Sequence, residues 1–169
     1  VIKAQSADAA QAISALTAAL NDSDIEVLCS ALDAIGDSAS DVVIAETKTK
    51  VAELIGHEDA AVRYHAAQAA GLLKIEAALE PTLNMLMANA NTSGNDIDPM
   101  LRHGGIMALK GIASSSQLAT LKSHPNKSVR LAAVVALRKQ LSPEVAQFVT
   151  DYDPVVATEA ARAINDEPA

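Results

Sequence analysis

Five groups of residues in this sequence are of types that can do chemistry. Arg102 and His103 stand side by side in 98-DPMLRHGGIMALKGIA-113, where a guanidinium beside an imidazole could hold an anion and move a proton. His57, Glu58 and Asp59 are consecutive and offer an imidazole and carboxylates to a metal ion. Cys29 is the single cysteine, a nucleophile if a base stands near it. Ser114, Ser115 and Ser116 form a hydroxyl run, and acids pair as Asp96/Asp98 and Asp151/Asp153.

Their surroundings argue against each use. No glycine-rich phosphate loop and no GxSxG elbow accompany them. A single cysteine excludes an internal disulfide and any CxxC or CxxCH motif. Cys29 reads as a small, partly buried helix residue. The serine run reads as a helix-start loop, and the acid pairs cap or precede helices, where the macrodipole favours them. The expectation is no catalytic residue, no metal ligand and no cofactor.

Composition limits the elements that could position such groups. Half of the 169 residues are hydrophobic, yet there is no Trp, one Phe and two Tyr, so the apolar content is mostly Ala, Leu, Val and Ile. That suits closely packed helices better than a β-sandwich. The net charge of −8, from 13 basic and 21 acidic residues with the basic ones scattered, disfavours nucleic acid. No apolar run reaches the roughly 20 residues of a membrane span, so no membrane insertion is expected. The opening VIKAQSADAA lacks an initiator Met and a signal-like segment, and the end INDEPA follows a helical pattern directly. Residues 1–169 read as one repeat domain cut from a longer protein.

The elements themselves recur. Val27, Val62, Leu101, Val129 and Val156 anchor five copies of one pattern, spaced 35, 39, 28 and 27 residues apart. Three residues before each anchor stands Asp24, Asp59, Asp98, Asn126 or Asp153, a helix N-cap whose side chain can accept orphan N–H groups. Pro99 and Pro154 follow their caps at the first helical position. Seven residues after each anchor is alanine, and four after is a small residue, so a neighbouring helix can approach closely there. Gly36, Gly71 and Gly111 read as helix stops. A weaker second set of helices is expected over 6–20, 40–55, 76–90, 115–122 and 142–149. Paired helices at this period predict an all-α fold, a right-handed α-α superhelix of about five pairs. The turn-rich 89-NANTSGND-96 reads as an insertion within it.

The pattern D-x-x-V-R-x-x-A-A-x-A-L resembles the HEAT-like repeat named after phycobilin lyases. Asp59/Arg63, Asp98/Arg102 and Asn126/Arg130 match its acidic and arginine positions, while Leu28 and Ala157 depart from the arginine. The resemblance implies that these residues are structural and tie adjacent repeats into a ladder, with each arginine partly buried. Some HEAT-like hydroxylases hold two irons on repeated His-Glu dipeptides, but His-Glu occurs here once, at His57-Glu58. A narrower likeness, carried by EAARAIND (159–166), is to the HEAT segment of large exported bacterial proteins. There a sugar-dehydrogenase-like β-propeller precedes the segment and a c-type cytochrome domain follows it. This resemblance implies a periplasmic or exported scaffold, or a spacer between catalytic and electron-transfer domains.

The repeat also explains Arg102-His103. Arg102 shares its slot with Arg63 and Arg130, and His103 shares its slot with Cys29, Tyr64, Leu131 and Thr158. That slot varies as a solvent-facing helix position does. If the anchor side is core, Tyr64, Gln68, His103, Met107, Leu131 and Val135 form an outward ridge across three repeats. A mixed apolar and polar stripe of this kind suits a protein partner or a neighbouring domain of the parent chain. The other two readings are a free-standing adaptor and a chromophore-handling enzyme like the phycobilin lyases. The enzyme reading needs an aromatic-walled groove.

Overall fold

In the computed structural model, residues 7–38, 41–91 and 97–165 are described, and the cap residues do what their chemistry dictates. Among the described residues nine α-helices follow one another: α1 (Ala7–Ala19), α2 (Ile25–Gly36), α3 (Ala45–Leu54), α4 (Ala60–Leu72), α5 (Leu79–Ala88), α6 (Pro99–Ile112), α7 (Ser115–Thr120), α8 (Lys127–Lys139) and α9 (Pro154–Asn165). Asp24, Asp59 and Asp98 each accept from the N–H groups two and three residues on, and Asn126 from Val129 N–H, opening α2, α4, α6 and α8. Asp153 does the same for Val155 and Val156 at the head of α9. Ser114 caps α7 in a reciprocal box with Gln117, so the serine run is a helix start.

The weaker set forms too, in altered lengths. The 40–55 segment becomes helical only at Ala45, and 76–90 begins with a 3-10 turn, Glu76–Ala78. The 142–149 segment winds as a 3-10 helix, Pro143–Phe148, with Ser142 accepting from Glu144 N–H. Six residues behind a proline leave little length for α-type bonds, and short pieces settle into the tighter winding.

Helices α2, α4, α6, α8 and α9 pack successively on one another. Each also packs on the member of the second set before it: α1, α3, α5, α7 and the Pro143–Phe148 segment. The result is an all-α helical repeat solenoid of five helix pairs, with no strand among the described residues. The core runs along the stack in two stretches. Leu28, Leu32, Ile35, Val51, Ile55, Val62 and Ala66 belong to the first, and Leu109, Leu118, Val129, Leu137, Phe148 and Val156 to the second. Each unit therefore buries its apolar face against its neighbours rather than against a common centre.

Two expectations need correction. Val62, Leu101, Val129 and Val156 are buried, but the first anchor, Val27, is 38% exposed. Its side faces a groove beside Leu16 and Ala19. Gly36, Gly71 and Gly111 are not helix stops. They lie within helices or on their last residue and mark close crossings. A Cβ on Gly71 would stand 2.7 Å from the Met107 carbonyl oxygen and 2.9 Å from Ala108 Cα. A Cβ on Gly36 would stand 3.1 Å from Ala69 Cα. The stops of α4 and α8 are instead Lys74 and Leu141, both at φ 53°. Ile75 N–H donates to Ala70 O and Ser142 N–H to Leu137 O, the long bond that closes a left-handed helix end.

Candidate protein-interaction surface

Local backbone chemistry fixes the polar end of each unit before any ligand is considered. The residue two before each cap accepts from the cap's own N–H: Asp22 for Asp24 at 2.9 Å, His57 for Asp59 at 3.0 Å, His124 for Asn126 at 3.1 Å and Asp151 for Asp153 at 2.8 Å. An imidazole accepting at Nδ1 carries its proton on Nε2. His57 and Asp59 are thus engaged with backbone. At α6 the same donor goes elsewhere: Asp98 N–H donates to Asn89 Oδ1, and Asn89 Nδ2 returns a bond to the Asp98 carbonyl. Asp96 and most of the insertion expected over 89–96 lie outside the described residues. This second acceptor was missed in the sequence, although Asp22, His57, His124 and Asp151 recur there at a fixed offset from the caps.

The arginines build on this turn. Arg63 Nη1 donates to the carbonyls of His57 and Glu58, both at 2.8 Å. Arg130 Nη1 donates to the equivalent carbonyls of His124 and Pro125. Arg130 then reaches the next unit, with Nε 2.8 Å from Asp151 Oδ2 and Nη2 3.2 Å from Oδ1. Tyr152 lies over its guanidinium, 4.1 Å from centre to centroid, a cation–π contact. Arg130 is fully buried. Burial alone would lower its pKa, but the bond and charge of Asp151 outweigh this, so the pKa is raised.

The expected ladder therefore needs redrawing. Asp59, Asp98 and Asn126 cap their own helices instead of bridging repeats, and the inter-repeat tie runs from Arg130 to Asp151. Arg63 is half-buried and Arg102 is exposed.

On the outward side of the α4, α6 and α8 layer, the proposed ridge is only partly assembled. The rings of Tyr64 and His103 lie 6.5 Å apart across α4 and α6, and Gln68 Nε2 donates to the Tyr64 hydroxyl. Gln68 and Met107 share a groove of about 490 Å³ with Leu72, Lys110 and Gln140. Leu131 and Val135 lean on the second core stretch. Only His103 of the six is exposed; the others are half-buried. The varying slot is thus a lateral position, not a fully solvated one. Cross-links flank the ridge: His65 Nδ1 lies 2.6 Å from Asp33 Oδ1 between α4 and α2, and Arg138 3.4 Å from Glu159 between α8 and α9.

A second concavity had no place in the sequence reading. A cleft of about 790 Å³ opens between the second and third units, lined among others by Ile55, His57, Arg63, Met85, Ile97 and Leu101. It falls at the longest anchor spacing, Val62 to Leu101, which was its one sequence signal. Cys29 stands apart from these features. Burial first, then Asp59 and Asp33, push its thiol pKa up, away from the thiolate a nucleophile needs. Among the described residues no three His, Cys, Asp or Glu side chains cluster as metal ligands. No helix there is long and apolar enough to cross a membrane.

Residues 13–97 match the family of HEAT repeats, half of the chain's length. No curated protein matches it. Among solved structures, an engineered protein from a structural genomics consortium is 24% identical. It superposes with a TM-score of 0.58, covering 95% of this chain and 85% of its own. That likeness bears on the fold alone.

Proposed function

Because the chain belongs to the HEAT repeat family, we propose that it is a non-catalytic scaffold whose α4–α6–α8 face receives a protein partner or a neighbouring domain. The observation that carries this reading is the fate of the reactive side chains. His57, His124, Arg63 and Arg130 are engaged in backbone and inter-unit bonds, which supports a surface over a reaction centre. The ridge of Tyr64, Gln68, His103, Met107, Leu131 and Val135 mixes apolar bodies with polar tips, as interface cores do. In finer detail, the chain is a spacer between catalytic and electron-transfer domains of an exported bacterial protein. The likeness of EAARAIND supports that parentage. The chromophore-handling alternative finds little support, since the ridge carries one tyrosine, Tyr64, and no Phe or Trp, and Phe148 is buried.

The test is site-specific photo-crosslinking in the host cell at Gln68, His103 and Val135, with Glu76 and Gln147 on the second helix layer as controls. Protein adducts concentrated at the first three support the reading. Adducts concentrated at the controls would place the working surface on the other layer.

A further inference from the structure

Two positions of the repeat are covered in the first four units and open in the last. Eight residues after the anchor stand Ile35, Ala70, Leu109 and Leu137, each 0% exposed, whereas Ile164 in α9 is 43% exposed. Five residues after the anchor stand Leu32, Ala67, Ile106 and Val134, none above 6% exposed, whereas Ala161 is exposed. One residue after the anchor, Ala157 replaces the arginine of the three preceding units. Steps of one, five and eight residues share one side of a helix. Ala157, Ala161 and Ile164 therefore form a charge-free strip on the side of α9 that each earlier unit turns toward its successor.

The earlier units show what covers such a strip. Gly36 meets Ala69 of the next unit and Gly71 meets Ala108 of the next, so small residues bring successive helices into backbone contact. Leu137 and Val134 of α8 share a core stretch with Val145 and Phe148 of the following 3-10 segment and Val156 of α9. Solenoid ends that face water carry polar side chains there; Ile164 and Ala161 do not.

We propose that the outward face of α9 is a docking surface for one more helix pair of the same repeat type. That pair would bring an apolar first segment like Pro143–Phe148, with its Val145 and Phe148, and a cap-led second helix onto Ala161 and Ile164. The proposal rests on the burial pattern along the stack and not on the ridge, so either can fail alone.

The experiment extends the chain in register. Replacing residues 166–169 with a second copy of residues 139–165 preserves the 27-residue period of Val129 and Val156. Thermal melts and hydrogen exchange are compared for the original and extended chains, each with and without Ile164→Asp, and sedimentation is run on all four. If the proposal holds, extension raises Tm by about 2–4 °C or more and slows exchange at 160–165 by at least about tenfold. Ile164→Asp should cancel both gains and leave the original chain's Tm unchanged. An extended chain with unaltered Tm and unaltered exchange at 160–165 would overturn the proposal. So would an original chain that sediments as a dimer and reverts to monomer with Ile164→Asp, since the occupant would then be a second copy.

Discussion

Among single residues, Arg130 and Arg102 have the same slot in the repeat and opposite environments. Arg130 is buried with four hydrogen bonds to Asp151, His124 and Pro125, while Arg102 is exposed. Removing one partner of a buried ion pair costs about 3–5 kcal/mol, because the other charge is left without compensation. An exposed arginine is worth about 0–1 kcal/mol. Arg130→Ala should therefore lower the urea midpoint severely and Arg102→Ala slightly; equal losses would show that burial does not set the difference. Asp153 makes a separate prediction. Burial alone would raise its pKa, but bonds from Val155 and Val156 N–H and the Lys127 ammonium, 3.4 Å away, bring it below the usual carboxylate range. A depressed carboxylate stabilises the fold above its unfolded pKa, about 3.9, and that contribution disappears as pH falls through the lower folded value. Asp153→Asn retains a capping oxygen, so between about pH 5 and pH 2 its Tm should fall less than that of the parent chain. Identical acid profiles would count against Asp153 as an acid-sensitive tie.

In the individual helices, the sequence was most readable where one residue acts through its own backbone. Asp24, Asp59, Asp98, Asn126 and Asp153 could be assigned as caps because an N-cap needs only the next three residues. The anchors and the alanines seven residues later were legible because helical period places them on one face. Gly36 and Gly71 were misread, since a helix stop and a helix crossing both favour glycine, and only the neighbour's position separates them. The ridge was partly misjudged for the same reason: Tyr64 and Leu131 are half-covered by helices whose placement no local pattern specifies. The cleft beside Arg63 depends on the width of one inter-unit gap and left only a spacing in the sequence. Two substitutions test the corrected reading by sign. At a free helix position Gly→Ala stabilises by about 1 kcal/mol, but Gly71→Ala should destabilise by about 1–3 kcal/mol because its Cβ meets the backbone of α6. Leu141 is 71% exposed at φ 53°, so Leu141→Gly should relieve strain and stabilise by about 0.5–1 kcal/mol. Calorimetry of the two variants would contradict the account if Gly71→Ala melted higher than the parent or Leu141→Gly lower.

Across the whole molecule, each pair of helices packs chiefly on its neighbours in the stack. Ala108 tests this most directly. It is fully buried and lies against Gly71 of the preceding unit, so a larger side chain there must push the second and third units apart. Overpacking of this kind costs about 1–3 kcal/mol. The decisive measurement is native-state hydrogen exchange of Ala108→Leu, with Met107→Leu as a neighbour on the half-buried side of the same helix. The account predicts that Ala108→Leu loses protection first in α4 and α6, with α1 and α9 still protected, and that Met107→Leu exchanges like the parent. Uniform loss of protection from α1 to α9, or equal damage from Met107→Leu, would contradict it.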